Sequence, residues 1–125
     1  MTNERIARDR ALRRLADIQE NIRAIRRLLE GKSLEDVGQD LATRAALERF
    51  LEIISEASRH IPDHWKANQP DIPWRQVADL GNQLRHAYRH VELGPLWDVY
   101  LDDLDPLERA VDSMLAAHPP KEGSS

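Results

Sequence analysis

Apolar residues recur at Leu15, Ile18, Ile22, Ile25 and Leu29, in alternating steps of three and four. That spacing lays them on one narrow stripe of a helix, the kind of seam by which helices pack into bundles. Gly31, just past Leu29 and Glu30, is a good stop signal. Ser33 and Asp36 stand in capping-box positions, but Gly38 follows soon after, so residues 33–39 read as a short turn or helical connector. A second stripe, Leu47, Phe50, Leu51, Ile54, Ala57 and Ile61, predicts a long helix from about Asp40 to Ile61, ended by Pro62.

Residues 62–73 hold three prolines and predict a connector with at most one helical turn around Trp65. Asp71 is a plausible cap and Pro73 suits a first helical position, so the third helix is expected from Pro73 to about His90. Gly94-Pro95 restarts the chain into a fourth helix with Leu96, Val99, Leu104, Leu107, Val111 and Leu115 on its buried side. Pro106 either opens a fifth helix or bends the fourth, because an internal proline loses a backbone bond and clashes with the preceding turn. The fold class is therefore all-α, an antiparallel up-down helical bundle of four to five helices. Residues 1–117 form its single domain, and 118–125 are expected to be a flexible tail.

Composition supports this picture. β-Branched residues are few, and Leu, Ala, Arg, Glu and Asp are plentiful, which favours helix over sheet. No cysteine is present, which excludes disulfides and thiolate metal sites and agrees with a reducing compartment. The opening residues are too charged for a signal peptide, and no run approaches the roughly 18 apolar residues of a membrane span. A soluble cytoplasmic protein, not embedded in a membrane, is the expectation.

The net charge of −4 argues against non-specific coating of nucleic acid, but it conceals a gradient. Residues 1–32 hold nine Lys/Arg against five acids, whereas 91–112 hold seven acids against one arginine. Such asymmetry can steer an anionic ligand, pair two subunits, or be neutralised within the bundle.

The candidate chemistry lies on the third helix. Placed on a helical wheel, Val77, Leu80, Leu84 and Val91 share an apolar arc, with Trp74 and Tyr88 at its edge. Arg75, Asp79, Asn82, His86, Arg89 and His90 lie opposite, with neither Lys nor Glu among them. Histidine can move a proton near neutral pH, arginine offers a fork of donors to phosphate oxygens, and asparagine can orient either. The set suits a phosphodiester better than an acyl group, although a plain solvated face has the same composition. His86 and His90, spaced i and i+4, have neither the glutamate of an HExxH motif nor a third ligand nearby, so no metal site and no cofactor are expected.

Four stretches, in this order and spacing, carry a resemblance: RDRALRRLADIQENIRAI, RAALERFLEIISEASRHIP, PDIPWRQVADLGNQLRHAY and VELGPLWDVYLDDLDPL. Together they resemble the HEPN superfamily, specifically the HepT-like proteins, over nearly all of Arg8 to Leu115. The resemblance implies a helical-bundle homodimer whose third-helix polar residues meet in a shared cleft. It also implies a metal-independent endoribonuclease that acts as the toxin of a toxin–antitoxin pair, with RNA as substrate. The antitoxin partner it implies is a nucleotidyltransferase of the MNT type. By the family pattern His86 is the catalytic histidine, Asn82 the polar residue four before it, and Tyr88 the tyrosine that the partner modifies with AMP. Arg75, Arg89 and His90 are the further candidates for binding RNA phosphates.

The pattern also expects an arginine at the position of Gly81. Arg85 followed by His90 keeps the arithmetic without the His-x-Tyr ending, and Arg85, Arg89 or Arg75 of either subunit are alternative cations; Arg85 stands as the catalytic candidate. A non-catalytic HEPN scaffold that binds the nucleotidyltransferase and nucleotide or RNA is the alternative of a different class. A helical interaction domain with no nucleic-acid role is a third.

Overall fold

The structure, a computed structural model, describes residues 2–86 and 92–119. Its first helix, α1, spans Asn3–Leu29; Thr2 caps its start by accepting from the Arg5 amide. Gly31 follows with φ 74°, the left-handed conformation that favours glycine, and ends the helix where the sequence predicts. The Ser33 capping box is formed in both directions, Ser33 Oγ accepting from the Asp36 amide at 3.1 Å and Asp36 Oδ2 from the Ser33 amide at 2.9 Å. It opens the short helix α2, Leu34–Gln39. Asp40 then caps α3, Leu41–Ser58, with its carboxylate accepting from the Ala42 and Thr43 amides and from the Thr43 hydroxyl. Those bonds hold both Asp36 and Asp40 below the usual carboxylate range: the Ser33 amide does so for the first, the Thr43 hydroxyl above all for the second.

α3 stops at Ser58, three residues short of the predicted Ile61. The chain turns through 59–61 before Pro62, whose carbonyl accepts from the Trp65 and Lys66 amides of α4, Asp63–Lys66, the single turn expected around Trp65. α5 spans Trp74–His86. Pro73 is its flanking cap residue rather than its first helical residue, because the Pro73 carbonyl accepts the Val77 amide. The expected continuation of this helix to His90, together with Val91, lies outside the described residues, as does the tail beyond Pro119.

The proline question has a specific answer. α6, Leu93–Asp98, runs into a π-turn at Val99–Asp103 and then into α7, Leu104–Ala117. The Leu104 amide donates to the Val99 carbonyl, five residues back. This wider turn directly precedes Pro106, whose ring would crowd the carbonyl of Asp102 in a regular helix. The fourth helix is thus carried past its proline by a local change of hydrogen-bond period.

α1 lies at the centre of the packing, along both α3 and α7, while α3 packs on its other side against α5. Bonds from Gln19 to Asp112 and from Arg26 to Asp105 and Glu108 show that α1 and α7 run antiparallel. They also neutralise within the bundle part of the charge gradient read from the sequence. The core takes Leu15, Ile18, Ile22, Ile25 and Leu29 from α1, as the spacing predicts, and adds Ala11. α3 supplies Leu47, Leu51, Ile54 and Ala57, with Ile61 following; Phe50 is only half-buried. From α7, Met114 takes the buried position and Leu115 the half-buried one. His118 stacks on Trp65 of α4 with ring centroids 3.7 Å apart, fastening the end of α7. No described helix is long and apolar enough to cross a membrane.

Candidate active site

The site candidates depend on how α5 is seated. Its start is held by Trp74, whose indole N–H donates to the Gln69 carbonyl at 3.1 Å, with Lys66 Nζ 5.8 Å from the indole centre. Val77, Leu80 and Leu84 pack half-buried against the core, in agreement with the apolar arc. Between them α5 meets α3 at Gly81, the buried residue of this helix. The Gly81 amide donates to Ser55 Oγ at 2.8 Å, and the Ser55 hydroxyl donates to the Ala78 carbonyl at 2.9 Å. Ser55, 1% exposed, is therefore plugged into the α5 backbone with donor and acceptor both used. A Cβ at position 81 would lie 2.7 Å from Ser55 Oγ and 3.1 Å from Ser55 Cβ.

On the face away from this junction α5 turns its polar residues outward. Arg75, Asp79, Asn82, Arg85 and His86 are all exposed. Arg85 folds back one turn and donates from a terminal nitrogen to Asn82 Oδ1 at 2.7 Å, so two of the three catalytic candidates touch. His86, the third, follows directly at the end of the described part of α5. Arg75 lies eleven residues before His86 on the same helix, about 16 Å along the axis by the helical rise. Tyr88, Arg89 and His90 lie outside the described residues.

Arg85 also lines a recess of about 250 Å³ with Arg14 and Asp17 of α1 and Arg49, Glu52 and Glu56 of α3. Glu56 accepts from His60 Nε2 at 2.9 Å and is held below the usual carboxylate range, chiefly by that bond, with smaller contributions from the positive fields of His60, Arg59 and Arg85. A larger apolar groove of about 550 Å³ lies between α3, α5 and the C-terminal helices, lined by Leu51, Ile54, Val77, Leu80, Leu96 and Val99 among others; Asp79 of the polar row borders it, and of the described candidates Arg75, Asn82, Arg85 and His86 do not line it. At its rim burial pushes the Asp103 carboxyl up, helped by the neighbouring charges of Asp102 and Asp98. Among the described residues, no three His, Asp or Glu side chains converge as a metal-ligand set.

Reading the sequence for its stripes missed Ser55. The available signal was its place among Leu51, Ile54 and Ala57, a hydroxyl on an otherwise apolar face and therefore one needing a buried partner. The wheel also missed that the Arg85 side chain, assigned to neither arc, reaches back to the polar row.

Fold and site together define a small helical-bundle protein that offers an imidazole, a guanidinium and an amide on the exposed end of one helix. Comparison with known proteins identifies the class: the model of the ribonuclease HepT-like family matches residues 18–114, and the chain belongs to that family, within the HEPN superfamily. It is 39% identical over 94 residues to a protein of Thermococcus cleftensis named as a probable ribonuclease HepT, covering 75% of this chain and 86% of that one. Over 87 residues it is 31% identical to a protein of Caldanaerobacter subterraneus subsp. tengcongensis whose name calls it an RNase, covering 70% and 78% of the two chains. A protein of Methanocaldococcus jannaschii, likewise bearing an RNase name, is 30% identical over 88 residues, 70% of this chain and 73% of its own. No solved structure matches the chain significantly.

Proposed function

We propose that this protein is a HepT-like RNA-cleaving subunit, the toxin of a toxin–antitoxin pair, that works as a homodimer and is neutralised by an MNT-type nucleotidyltransferase. The observation that carries the reading is the exposed turn of α5 in which Arg85 is bonded to Asn82 beside His86, in a chain of this family. In the reaction, a ring nitrogen of His86 takes the proton of an RNA 2′-hydroxyl as its oxygen attacks the adjacent phosphorus. The new 2′-oxygen–phosphorus bond forms as the phosphorus–5′-oxygen bond breaks, leaving a 2′,3′-cyclic phosphate. The departing 5′-oxygen takes up a proton, for which the second His86 of a homodimer is available. Arg85 supplies donors to the phosphate oxygens as their negative charge grows, and Asn82 orients Arg85. Arg75, Arg89 and His90 hold phosphates away from the scissile one. Tyr88, two residues after His86, is the group the partner enzyme modifies with AMP to silence the site.

Incubation of the purified protein with RNA in EDTA, beside His86→Ala, tests this. Wild type cleaves and the variant does not; equal cleavage by both sinks the assignment of His86. Expression alone arrests growth, and co-expression of a neighbouring nucleotidyltransferase gene relieves the arrest; harmless expression counts against the toxin role.

One observation favours a second reading. Gly81, where the family pattern expects an arginine, is committed to a buried contact with Ser55. On that reading the chain is a HEPN scaffold that binds nucleotidyltransferase and RNA without cutting, and the EDTA assay shows binding with no cleavage in wild type.

A further inference from the structure

The bare backbone at Gly81 has two neighbours. On one side is Ser55 of α3; on the other is the guanidinium of Arg85, whose terminal nitrogen lies 3.2 Å from the place a Cβ at 81 would occupy. The Arg85 side chain thus runs back along α5 and rests its head over the residue that has no side chain. Asn82, the next residue, grips it there at 2.7 Å. The guanidinium carries five donors, so the Asn82 bond leaves others for an anion. Glu56, which feels the charge of Arg85, is hydrogen-bonded by His60. Position 81 itself faces inward: any side chain there starts against Ser55, in a junction where the Gly81 amide and the Ser55 hydroxyl are both engaged.

We propose that Arg85, seated over Gly81 and gripped by Asn82, is the cation of this site, and that Gly81 and Ser55 are the positioning residues that make the seat. The inference rests on the ribonuclease reading and deepens it. Ser55 fixes the depth and rotation of α5 by bonding to its backbone one turn before Arg85. Gly81 keeps clear the volume that the folded-back guanidinium uses. The missing side chain at 81 and the arginine at 85 then form one arrangement, in which the cation reaches the phosphate from the residue directly before His86.

The test is RNA cleavage, with kcat and KM separated, by wild type, His86→Ala, Arg85→Ala, Arg85→Lys and Gly81→Ala, each checked for helical content. Arg85→Ala, at an exposed position, leaves the fold intact and lowers kcat about 100-fold, the cost of removing one donor group aimed at developing charge. Its KM changes less than about threefold, as expected when the lost contact is made chiefly in the transition state. Added guanidinium ion restores part of that loss, and Arg85→Lys keeps a part of the activity. Gly81→Ala and Ser55→Gly each lower kcat, and the double variant loses less than the two losses combined, because Ser55→Gly removes both Ser55 atoms that the new methyl would meet. An Arg85→Ala protein with the kcat of wild type overturns the assignment of the cation while leaving the ribonuclease reading standing. A Gly81→Ala protein with the kcat of wild type overturns the positioning role. A wild type that cleaves no better than His86→Ala overturns both the ribonuclease reading and this inference.

Discussion

Replacing Gly81 by alanine sets two opposed effects against each other, and the structure decides between them. Alanine inside a helix is favoured over glycine by about 1 kcal/mol, so an open helical position would gain stability. Here the added Cβ falls 2.7 Å from Ser55 Oγ and 3.1 Å from Ser55 Cβ, well inside the ordinary contact separation of about 3.5 Å. Relief has two routes. If α5 moves away, the junction loosens and half-buried Val77, Leu80 and Leu84 lose packing, an overpacking cost of about 1–3 kcal/mol. If Ser55 instead rotates, the Gly81 amide and Ala78 carbonyl lose a buried partner, at a comparable cost of about 1–3 kcal/mol. Less the propensity gain, either route leaves Gly81→Ala destabilising the protein by up to about 2 kcal/mol net. Urea unfolding followed by circular dichroism measures this, at one fixed protein concentration so that self-association does not move the midpoint. Ser55→Ala alone should also cost about 1 kcal/mol, through the lost hydrogen bonds. The double variant should be more stable than the sum of the two predicts, by about 1 kcal/mol, because the shorter of the two clashes has gone. A Gly81→Ala protein as stable as wild type, with additive effects in the double variant, would refute the account of the junction.

Two further outcomes follow from the same structure. Asp103→Asn should stabilise the protein at pH 7: burial and the charges of Asp102 and Asp98 raise this carboxyl above its unfolded value, so the folded state loses stability as pH rises through that window, and the loss is complete above it. Thermal melts should show the gain at pH 7 and no gain below about pH 3, where the carboxyl is protonated in both states; a variant less stable than wild type at pH 7 contradicts the assignment. Leu47→Ala, at a fully buried core position of α3, should cost about 2–5 kcal/mol by urea unfolding, and a loss under 1 kcal/mol would mean that this face does not pack as described.

Local chemistry made most of the fold legible. The three-and-four spacing of Leu15 to Leu29 identifies the buried stripe of α1 because helical geometry alone decides which residues share a face. Gly31 and the Ser33–Asp36 box terminate and start helices through bonds made within a few residues, so they too can be read in place. The phase of the last helix was less legible. Val99, expected in the core, is half-buried where the π-turn begins, and within α7 Met114, three residues after Val111, takes the buried place expected for Leu115, four residues after it.

At the site, the sequence by itself determined the chemical groups and the helix that carries them: Asn82, Arg85 and His86 within five residues, free of Lys and Glu. It left open which arginine stands beside Asn82, since a long side chain can follow several rotamers from the same backbone. Only the three-dimensional structure decided that Arg85 folds back to Asn82, and that Gly81 packs against Ser55 with the Arg85 guanidinium close by. The physical reason is that the Gly81 contact depends on Ser55, 26 residues earlier in the chain, whose hydroxyl meets the α5 backbone only when α3 and α5 are packed together, while the Arg85–Asn82 bond selects one of several rotamers that the same helix allows.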